Sequence, residues 1–109
     1  KIDLLNYNKL SNFLDNAKFD SLIHLGTENP NYLELKKKVD FYKKNITATK
    51  NLINYFSKKK RKKRLILIGS SQMYGNRKSI VNLKSKFMPI NSYAKFRVEA
   101  YNYMVKILV

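Results

Sequence analysis

The sequence contains no cysteine, which excludes disulfide bonds, thiol catalysis and every cysteine-based zinc site. It has one histidine, His24, so neither a histidine-based metal cluster nor a Ser-His-Asp triad has the residues that it needs. No apolar run approaches the roughly 20 residues of a membrane span, and the first residues do not resemble a signal peptide. We therefore expect a soluble, cytoplasmic protein with no membrane partner.

Acidic residues are also scarce. The 109 residues include 7 Asp and Glu against 23 Lys and Arg, which gives a formal net charge of +16. The length predicts one domain, and 44% hydrophobic residues are too many for a compositionally disordered chain. Lys, Asn, Ile and Tyr are all frequent, as an AT-rich coding sequence produces, so the charge alone does not indicate nucleic-acid binding.

One segment concentrates the positive charge. Residues 58–64 are seven consecutive cations, Lys58-Lys59-Lys60-Arg61-Lys62-Lys63-Arg64. Such a run is typical of a nuclear-localisation signal or of a phosphate-binding patch for nucleic acid. The alternative, a solvated loop between a helix and a strand, is favoured because the run has no interleaved aromatic residues.

Hydrophobic periodicity divides the chain into alternating helices and strands. We predict a helix over 8–18, a buried strand over 21–25, a long helix over 31–57, a strand covered on both faces over 65–68, an irregular stretch over 75–91 and a helix from Ser92. The predicted buried positions of the three helices are, in order, Leu10, Phe13, Leu14 and Ala17; Leu35, Val39, Tyr42, Ile46, Thr49, Ile53 and Phe56; and Ala94, Val98, Tyr101, Val105 and Leu108.

This order of elements predicts an α/β fold with a parallel sheet. Ligands of such folds bind beyond the carboxyl ends of the strands. Near the second strand end the chain offers groups for acid–base chemistry: Ser70 follows the strand, and Tyr93 and Arg97 share one helix face. A phenol that exchanges protons near neutral pH needs an adjacent cation, and a serine hydroxyl can orient the substrate oxygen.

Several segments, in order and at compatible spacing, give the chain a family resemblance. Residues 20–27, Asp-Ser-Leu-Ile-His-Leu-Gly-Thr, are similar to a D-x-V-I-H-L-A-A strand, and residues 45–52, Asn-Ile-Thr-Ala-Thr-Lys-Asn-Leu, to an N-V-x-G-T-x-N-L helix. Residues 70–75, Ser-Ser-Gln-Met-Tyr-Gly, are similar to an S-S-x-x-V-Y-G segment, and Tyr93 matches the tyrosine of Y-x-x-x-K. The sequence resembles the extended short-chain dehydrogenases/reductases, which act on nucleotide-sugars, over nearly its whole length.

The resemblance implies that residues 1–109 are the central part of one NAD(P)-binding Rossmann domain. This partial, doubly wound sheet lacks the first βαβ unit and the carboxyl-terminal substrate region. The implied ligands are NAD or NADP and a nucleotide-sugar, and the implied assembly is a homodimer through the helices at 31–57 and 92–108. The implied catalytic residues are Ser70, Tyr93 and Arg97; the cofactor-binding residues are Asp3, Leu4, Leu25, Gly26, Thr27, Asn45, Tyr93 and Arg97; the substrate-binding residues are Ser70, Ser71 and Gln72.

Two polar residues have alternative interpretations. Asn45 lies on an amphipathic helix, where it would face solvent, whereas the resemblance implies that it points toward the active site. His24 is interpreted as a packed residue at a strand end rather than as an acid or base.

Three departures from the family pattern limit these expectations. The Gly-rich phosphate loop is absent, because Gly26, Gly69 and Gly75 are the only glycines and none forms it, so we expect no dinucleotide binding by the isolated chain. Arg97 replaces the motif's lysine, and its planar fork does not reproduce a lysine that bridges the nicotinamide ribose. A lysine at position 97 is therefore expected to raise turnover. The sequence also ends before the substrate region, so we expect the fragment to be inactive alone.

The predicted function is an NAD(P)-dependent epimerase or ketoreductase that acts on a nucleotide-sugar. A 4,6-dehydratase is disfavoured, because Ser71 and Gln72 occupy positions where dehydratases carry Asp and Glu. The alternative is a non-enzymatic module on a degenerate Rossmann fold that binds nucleic acid or another partner through residues 58–64.

Overall fold

The computed structural model describes residues 1–28, 38–59 and 63–109. In chain order, the elements are helix α1 (Tyr7–Asn16), strand β1 (Ser21–His24), helix α2 (Lys38–Ser57), strand β2 (Arg64–Leu67), a 3-10 turn (Ser71–Tyr74) and helix α3 (Ser92–Leu108). None of the helices in the described ranges is long and apolar enough to cross a membrane.

The two strands pair in parallel, with Ser21 opposite Arg64 and His24 opposite Leu67. The expected α/β fold with a partial parallel sheet is confirmed. Alternate residues point to opposite faces of the sheet: Leu22 and Leu65 pack against the helices, whereas the adjacent positions on the other face are open to solvent. The prediction that residues 65–68 are covered on both faces is wrong for the described chain, since Ile66 is 41% exposed and Ile68 is 40% exposed.

Helix α1 begins at an Asn6 cap, whose Oδ1 accepts a hydrogen bond from the Lys9 backbone N–H at 3.0 Å. Its buried face packs on α2 in one core cluster, made of Leu10, Leu14, Leu52, Tyr55 and Phe56. Phe13 was predicted to be buried, but it is 54% exposed because it lies at the edge of the stripe that Leu10 and Leu14 define.

The described part of α2 follows its predicted stripe. Its buried positions include Ile46, Thr49, Ile53 and Phe56, all less than 9% exposed. The first part of the predicted helix, residues 31–37 with Leu35, lies outside the described residues.

Helix α3 begins at Ser92 as predicted, and the Asn91 side chain caps it by accepting a hydrogen bond from the Ala94 N–H at 2.8 Å. Its predicted buried stripe holds for Ala94, which is fully buried, but is wrong for Tyr101, Val105 and Leu108, which are 44%, 37% and 39% exposed. Besides Ala94, the buried face is formed by Phe96, Arg97 and Ala100, none of which belongs to the predicted stripe. The buried face of α3 is thus rotated about the helix axis relative to the predicted stripe. The reason is packing, because Phe96 and Ala100 contact Ile46 of α2 and the small alanine allows the two helices to approach.

The segment between β2 and α3 contains the 3-10 turn, which the sequence did not predict, followed by the predicted irregular stretch. Gly75 ends the turn with φ of 73°, a left-handed conformation that favours glycine. A Cβ at this position would also lie 2.9 Å from the Met88 carbonyl oxygen. The returning chain is bonded there, because the Met88 N–H donates to the Met73 carbonyl at 2.8 Å.

Candidate active site

The carboxyl ends of β1 and β2 lie side by side, as the parallel register requires. The loop after β1, the 3-10 turn after β2 and the start of α3 therefore converge on one edge of the sheet. The turn is bonded to the start of α3, because the Gln72 Oε1 accepts a hydrogen bond from Asn91 Nδ2 at 2.9 Å. This edge holds most of the site residues that the sequence predicted.

Arg97 and Tyr93 are in direct contact at this edge. The guanidinium donates two hydrogen bonds to the Tyr93 hydroxyl oxygen, from Nε at 3.1 Å and from Nη2 at 2.6 Å. It also donates from Nη1 to the Ile68 carbonyl at 2.6 Å and from Nη2 to Thr27 Oγ1 at 3.2 Å. Arg97 is 8% exposed, so this cation is buried and bonded to three different segments of the chain.

Ser70 lies at the start of the 3-10 turn and caps it. Its Oγ accepts a hydrogen bond from the Gln72 N–H at 3.2 Å, so one acceptor position of the hydroxyl is used. Within the described chain no hydrogen bond joins Ser70 to Tyr93. Ser71, the next residue, is exposed, so its side chain is accessible to a ligand from solvent.

His24 occupies the last position of β1 and is 3% exposed. Its Nε2 lies 3.0 Å from Thr49 Oγ1 on α2. Burial lowers the pKa of His24 from its ordinary value, and the positive charge of Arg97 lowers it further. This geometry agrees with the interpretation of His24 as a packed residue at the strand end.

A second group of the predicted cofactor-binding residues lies around an open cleft of about 620 Å³. Its lining includes four of the predicted residues, Asp3, Leu4, Gly26 and Asn45. Asp3 also supports the local backbone, because its Oδ1 accepts a hydrogen bond from the Leu5 N–H at 2.9 Å. Leu25 does not belong to this lining, and it is 69% exposed.

Asn45 is 5% exposed, so the interpretation that it faces solvent is wrong. Its Oδ1 accepts a hydrogen bond from the Glu28 N–H at 2.8 Å, and its Nδ2 donates to the Glu28 carbonyl at 2.7 Å. The amide thus pairs with the backbone of the loop that follows β1. It holds this loop against α2 and thereby shapes one wall of the cleft.

Sequence reasoning missed a polar network between α2 and α3. Glu99 accepts hydrogen bonds from the Tyr42 hydroxyl and, at 2.6 Å, from Lys50 Nζ. Burial raises the pKa of Tyr42 to about 12, and the hydrogen bond to Glu99 contributes to the rise. For Glu99 burial acts to raise the pKa, but the hydrogen bonds from Lys50 and Tyr42 outweigh it and keep the pKa below its ordinary value. Glu99 was recognisable as the first acid after a long basic stretch.

The comparisons with known proteins agree with this architecture. Residues 1–107 match the sequence profile of the NAD dependent epimerase/dehydratase family. A search of curated proteins finds no match.

Three solved structures illustrate the similarity of the fold. The UDP-Glc/GlcNAc 4-epimerase of Campylobacter jejuni has a TM-score of 0.83 and 20% identity over 97% of this chain and 32% of its own. The UDP-glucose 4-epimerase of Bifidobacterium longum, in complex with NAD⁺ and UDP, has a TM-score of 0.82 and 16% identity over 98% and 32%. RMD from Pseudomonas aeruginosa, complexed with NADPH, has a TM-score of 0.76 and 20% identity over 94% and 36%.

The chain thus spans about a third of the length of these solved structures. At such identities they show the fold alone. The match to the family profile, in contrast, covers nearly every residue. The chain belongs to the NAD-dependent epimerase/dehydratase family.

Proposed function

We propose that residues 1–109 form the central part of the cofactor-binding domain of an enzyme that epimerises or reduces a nucleotide-sugar with NAD or NADP. The observation that carries this proposal is the Tyr93–Arg97 pair, which lies at the carboxyl edge of the parallel sheet with the Tyr93 hydroxyl bonded to the guanidinium. Ligands of α/β sheets bind at this edge, and family membership supports the same position.

The residues have separate roles in this proposal. Tyr93 exchanges a proton with a sugar hydroxyl, and Ser70 orients that hydroxyl together with Ser71 and Gln72. Arg97 supplies the positive charge beside the phenol oxygen. Because the Tyr93 oxygen already accepts two N–H groups from Arg97, its own hydrogen is directed away from the guanidinium and is available to a ligand oxygen.

The described residues fit part of an NAD(P) molecule. The cleft beside Asp3, Leu4, Gly26 and Asn45 would hold the adenosine end, and Thr27 lies between that cleft and the Tyr93–Arg97 pair. When bound, the nicotinamide would accept and return a hydride. The chain offers no Gly-rich loop for the pyrophosphate, so this part of the binding site is not supplied by residues 1–109.

The coding sequence upstream of Lys1 tests the proposal directly. We expect a Gly-rich phosphate loop encoded about 50 to 60 residues before Lys1, at the start of a βαβ unit. A reading frame that begins within this interval and encodes no such loop would contradict the enzyme proposal. The complete gene product, assayed with NAD⁺ or NADPH and a panel of UDP- and GDP-sugars, then tests the activity.

We also propose that the protein forms a homodimer through the segments at 31–57 and 92–108. The support within the described residues is an exposed apolar face of α3, where Tyr101, Val105 and Leu108 are each more than a third exposed. Sedimentation equilibrium of the wild type and of Val105→Lys tests this, and a wild type that remains monomeric at tens of micromolar would contradict it.

Nucleic-acid binding through residues 58–64 is the rival proposal, and the described cations of this segment support it only weakly. Lys59 Nζ lies 2.6 Å from Asp15 Oδ1. Lys58 lies 4.9 Å from the centre of the Tyr7 ring, and Lys63 lies 3.6 Å from the centre of the Phe19 ring. Lys58, Lys59 and Lys63 thus contact residues of α1 and of the segment after it. Residues 60–62 lie outside the described residues.

A further inference from the structure

Arg97 forms hydrogen bonds beyond the contact with Tyr93 that the proposed function uses. Its guanidinium donates to acceptors on α3, on the residue after β2 and on the loop after β1. All three of its nitrogen atoms are engaged, and four of its five N–H groups are used by Tyr93, Ile68 and Thr27. The guanidinium is therefore turned toward the protein, and little of it is left to bind another molecule.

A lysine could not make this set of contacts. The ammonium group of lysine is a single donor atom, whereas the guanidinium spreads its donors over a planar fork. In this structure, the two ends of that fork serve different acceptors, with Nη1 on the Ile68 carbonyl and Nη2 on Thr27 and Tyr93. The arginine at this position thus matches the acceptors that surround it.

Thr27 supplies the acceptor that lies on the loop after β1. The motif that residues 20–27 resemble ends in alanine, which has no side-chain oxygen, whereas Thr27 presents Oγ1 to Arg97 at 3.2 Å. Two of the departures from the family motifs, the threonine for alanine at 27 and the arginine for lysine at 97, are 70 residues apart in the chain and in contact in the fold.

From this contact we infer that Thr27 and Arg97 form a compensating pair that positions the Tyr93 hydroxyl. Arg97 is then a positioning residue whose donors face the protein, and the cofactor ribose must find its contacts on other groups. Thr27 acts through Arg97, because its hydroxyl fixes Nη2 and the same Nη2 is bonded to the Tyr93 oxygen. The catalytic role of Tyr93 in this inference rests on the proposed function, whereas the contacts of Thr27 and Arg97 do not depend on that function.

The experiment uses the 109-residue chain and needs neither cofactor nor substrate, so its failure is distinct from a failure of the proposed function. The eight tyrosines are labelled with ¹³C at Cζ, and Tyr93→Phe assigns the Tyr93 resonance. We expect Thr27→Val and Arg97→Lys each to shift this resonance. Thr27→Ser, which keeps the hydroxyl, and Lys95→Met, which removes an exposed cation of the same helix, should leave it in place.

The decisive comparison is the double variant. Because Thr27 acts through Arg97, Thr27→Val should cause no additional shift of Tyr93 in the Arg97→Lys background. Should Thr27→Val prevent folding, Thr27→Ala removes the same hydroxyl with less bulk and gives the same comparison. An unchanged Tyr93 resonance in a folded Thr27→Val or Thr27→Ala variant overturns the inference, as does an equal shift in both backgrounds.

Discussion

His24 Nε2 and Thr49 Oγ1 lie 3.0 Å apart in the interface between β1 and α2, and both side chains are less than 4% exposed. The histidine therefore meets a hydroxyl on one side and the charge of Arg97 nearby, and no described carboxylate bonds to it. Burial and the Arg97 charge both lower the pKa of His24, so the folded protein keeps this ring neutral at a pH where the unfolded chain begins to protonate it.

The first prediction concerns stability as a function of pH. The pKa of His24 is lower in the folded state than in the unfolded state, so the unfolded chain binds the proton more readily. The contribution of neutral His24 to the free energy of unfolding is complete above the unfolded pKa of about 6.5. As the pH falls below that value, this contribution is lost by at most about 1.4 kcal/mol per pH unit. Urea unfolding at pH 7.5, 6.5 and 5.5 measures this loss. His24→Gln should flatten the profile, and an equal slope in both proteins would contradict the assignment.

The second prediction tests which face of α3 is buried. Phe96 is 1% exposed and packs against Ile46, whereas Tyr101 on the same helix is 44% exposed. Phe96→Ala should lower the free energy of unfolding by about 3 to 5 kcal/mol or abolish folding. Tyr101→Ala, the matched control, should cost less than about 1 kcal/mol. Denaturant titration measures the free energy of unfolding of both variants. A larger loss for Tyr101→Ala than for Phe96→Ala would contradict the buried face that the structure shows and favour the stripe predicted from the sequence.

The strands could be predicted from the sequence, whereas the buried face of α3 could not be predicted in full. The apolar runs at 21–25 and 65–68 predicted two parallel strands correctly, because a hydrophobic run between polar flanks is a local signal. The first strand was expected to be buried, but Ile23 and Leu25 are exposed. The buried face of α3 combines Phe96 with Arg97 and Ala100, and the last two are not the large apolar residues from which a hydrophobic stripe is recognised. Ala100 is buried by the surface of α2, and Arg97 is buried by the acceptors at the strand ends. Both depend on the tertiary fold and not on the sequence of α3 alone.

In the candidate site, too, contacts within one element were predictable and contacts between distant segments were not. Tyr93 and Arg97 were predictable as neighbours, since residues four apart share a helix face. The contact of Arg97 with Thr27 was not, because it joins residues 70 positions apart. The pairing of Asn45 with the Glu28 backbone also depends on how the loop after β1 folds back over α2. The expectation that a lysine at position 97 raises turnover stays a prediction, and such a lysine would lose the contacts that Arg97 makes with Ile68 and Thr27.

The third prediction concerns cofactor binding by the 109-residue chain. In our proposal the cleft near Asp3 and Gly26 holds the adenosine end of the cofactor, but residues 1–109 contain no Gly-rich loop for the pyrophosphate. We expect no binding of NAD⁺ or NADPH that isothermal titration calorimetry detects at millimolar ligand. A dissociation constant in the micromolar range would show that the affinity resides in these residues and not in a Gly-rich loop.

The fourth prediction separates the two proposals for residues 58–64. If this segment binds nucleic acid, the logarithm of the affinity falls steeply with the logarithm of the salt concentration, and replacing its seven cations with serine abolishes binding. With Lys59 paired to Asp15 and Lys63 against Phe19, we expect weak binding that is blind to sequence. Fluorescence anisotropy with a labelled duplex measures it, and Lys43→Ser with Lys44→Ser provides a control for charge. Tight binding that only the 58–64 variant loses would favour the rival.

The most direct test of the central claim is the turnover of the complete gene product with and without the Tyr93 hydroxyl. The wild type and Tyr93→Phe are incubated with NAD⁺ or NADPH and the panel of UDP- and GDP-sugars, and products are followed by ¹H NMR. Lys95→Met serves as the control on the same helix. We predict turnover by the wild type and the control, and a fall of at least about a hundredfold for Tyr93→Phe, as expected for loss of a general acid–base group. A wild type at background with cofactor and sugar bound, or a Tyr93→Phe variant as active as the wild type, would contradict the account.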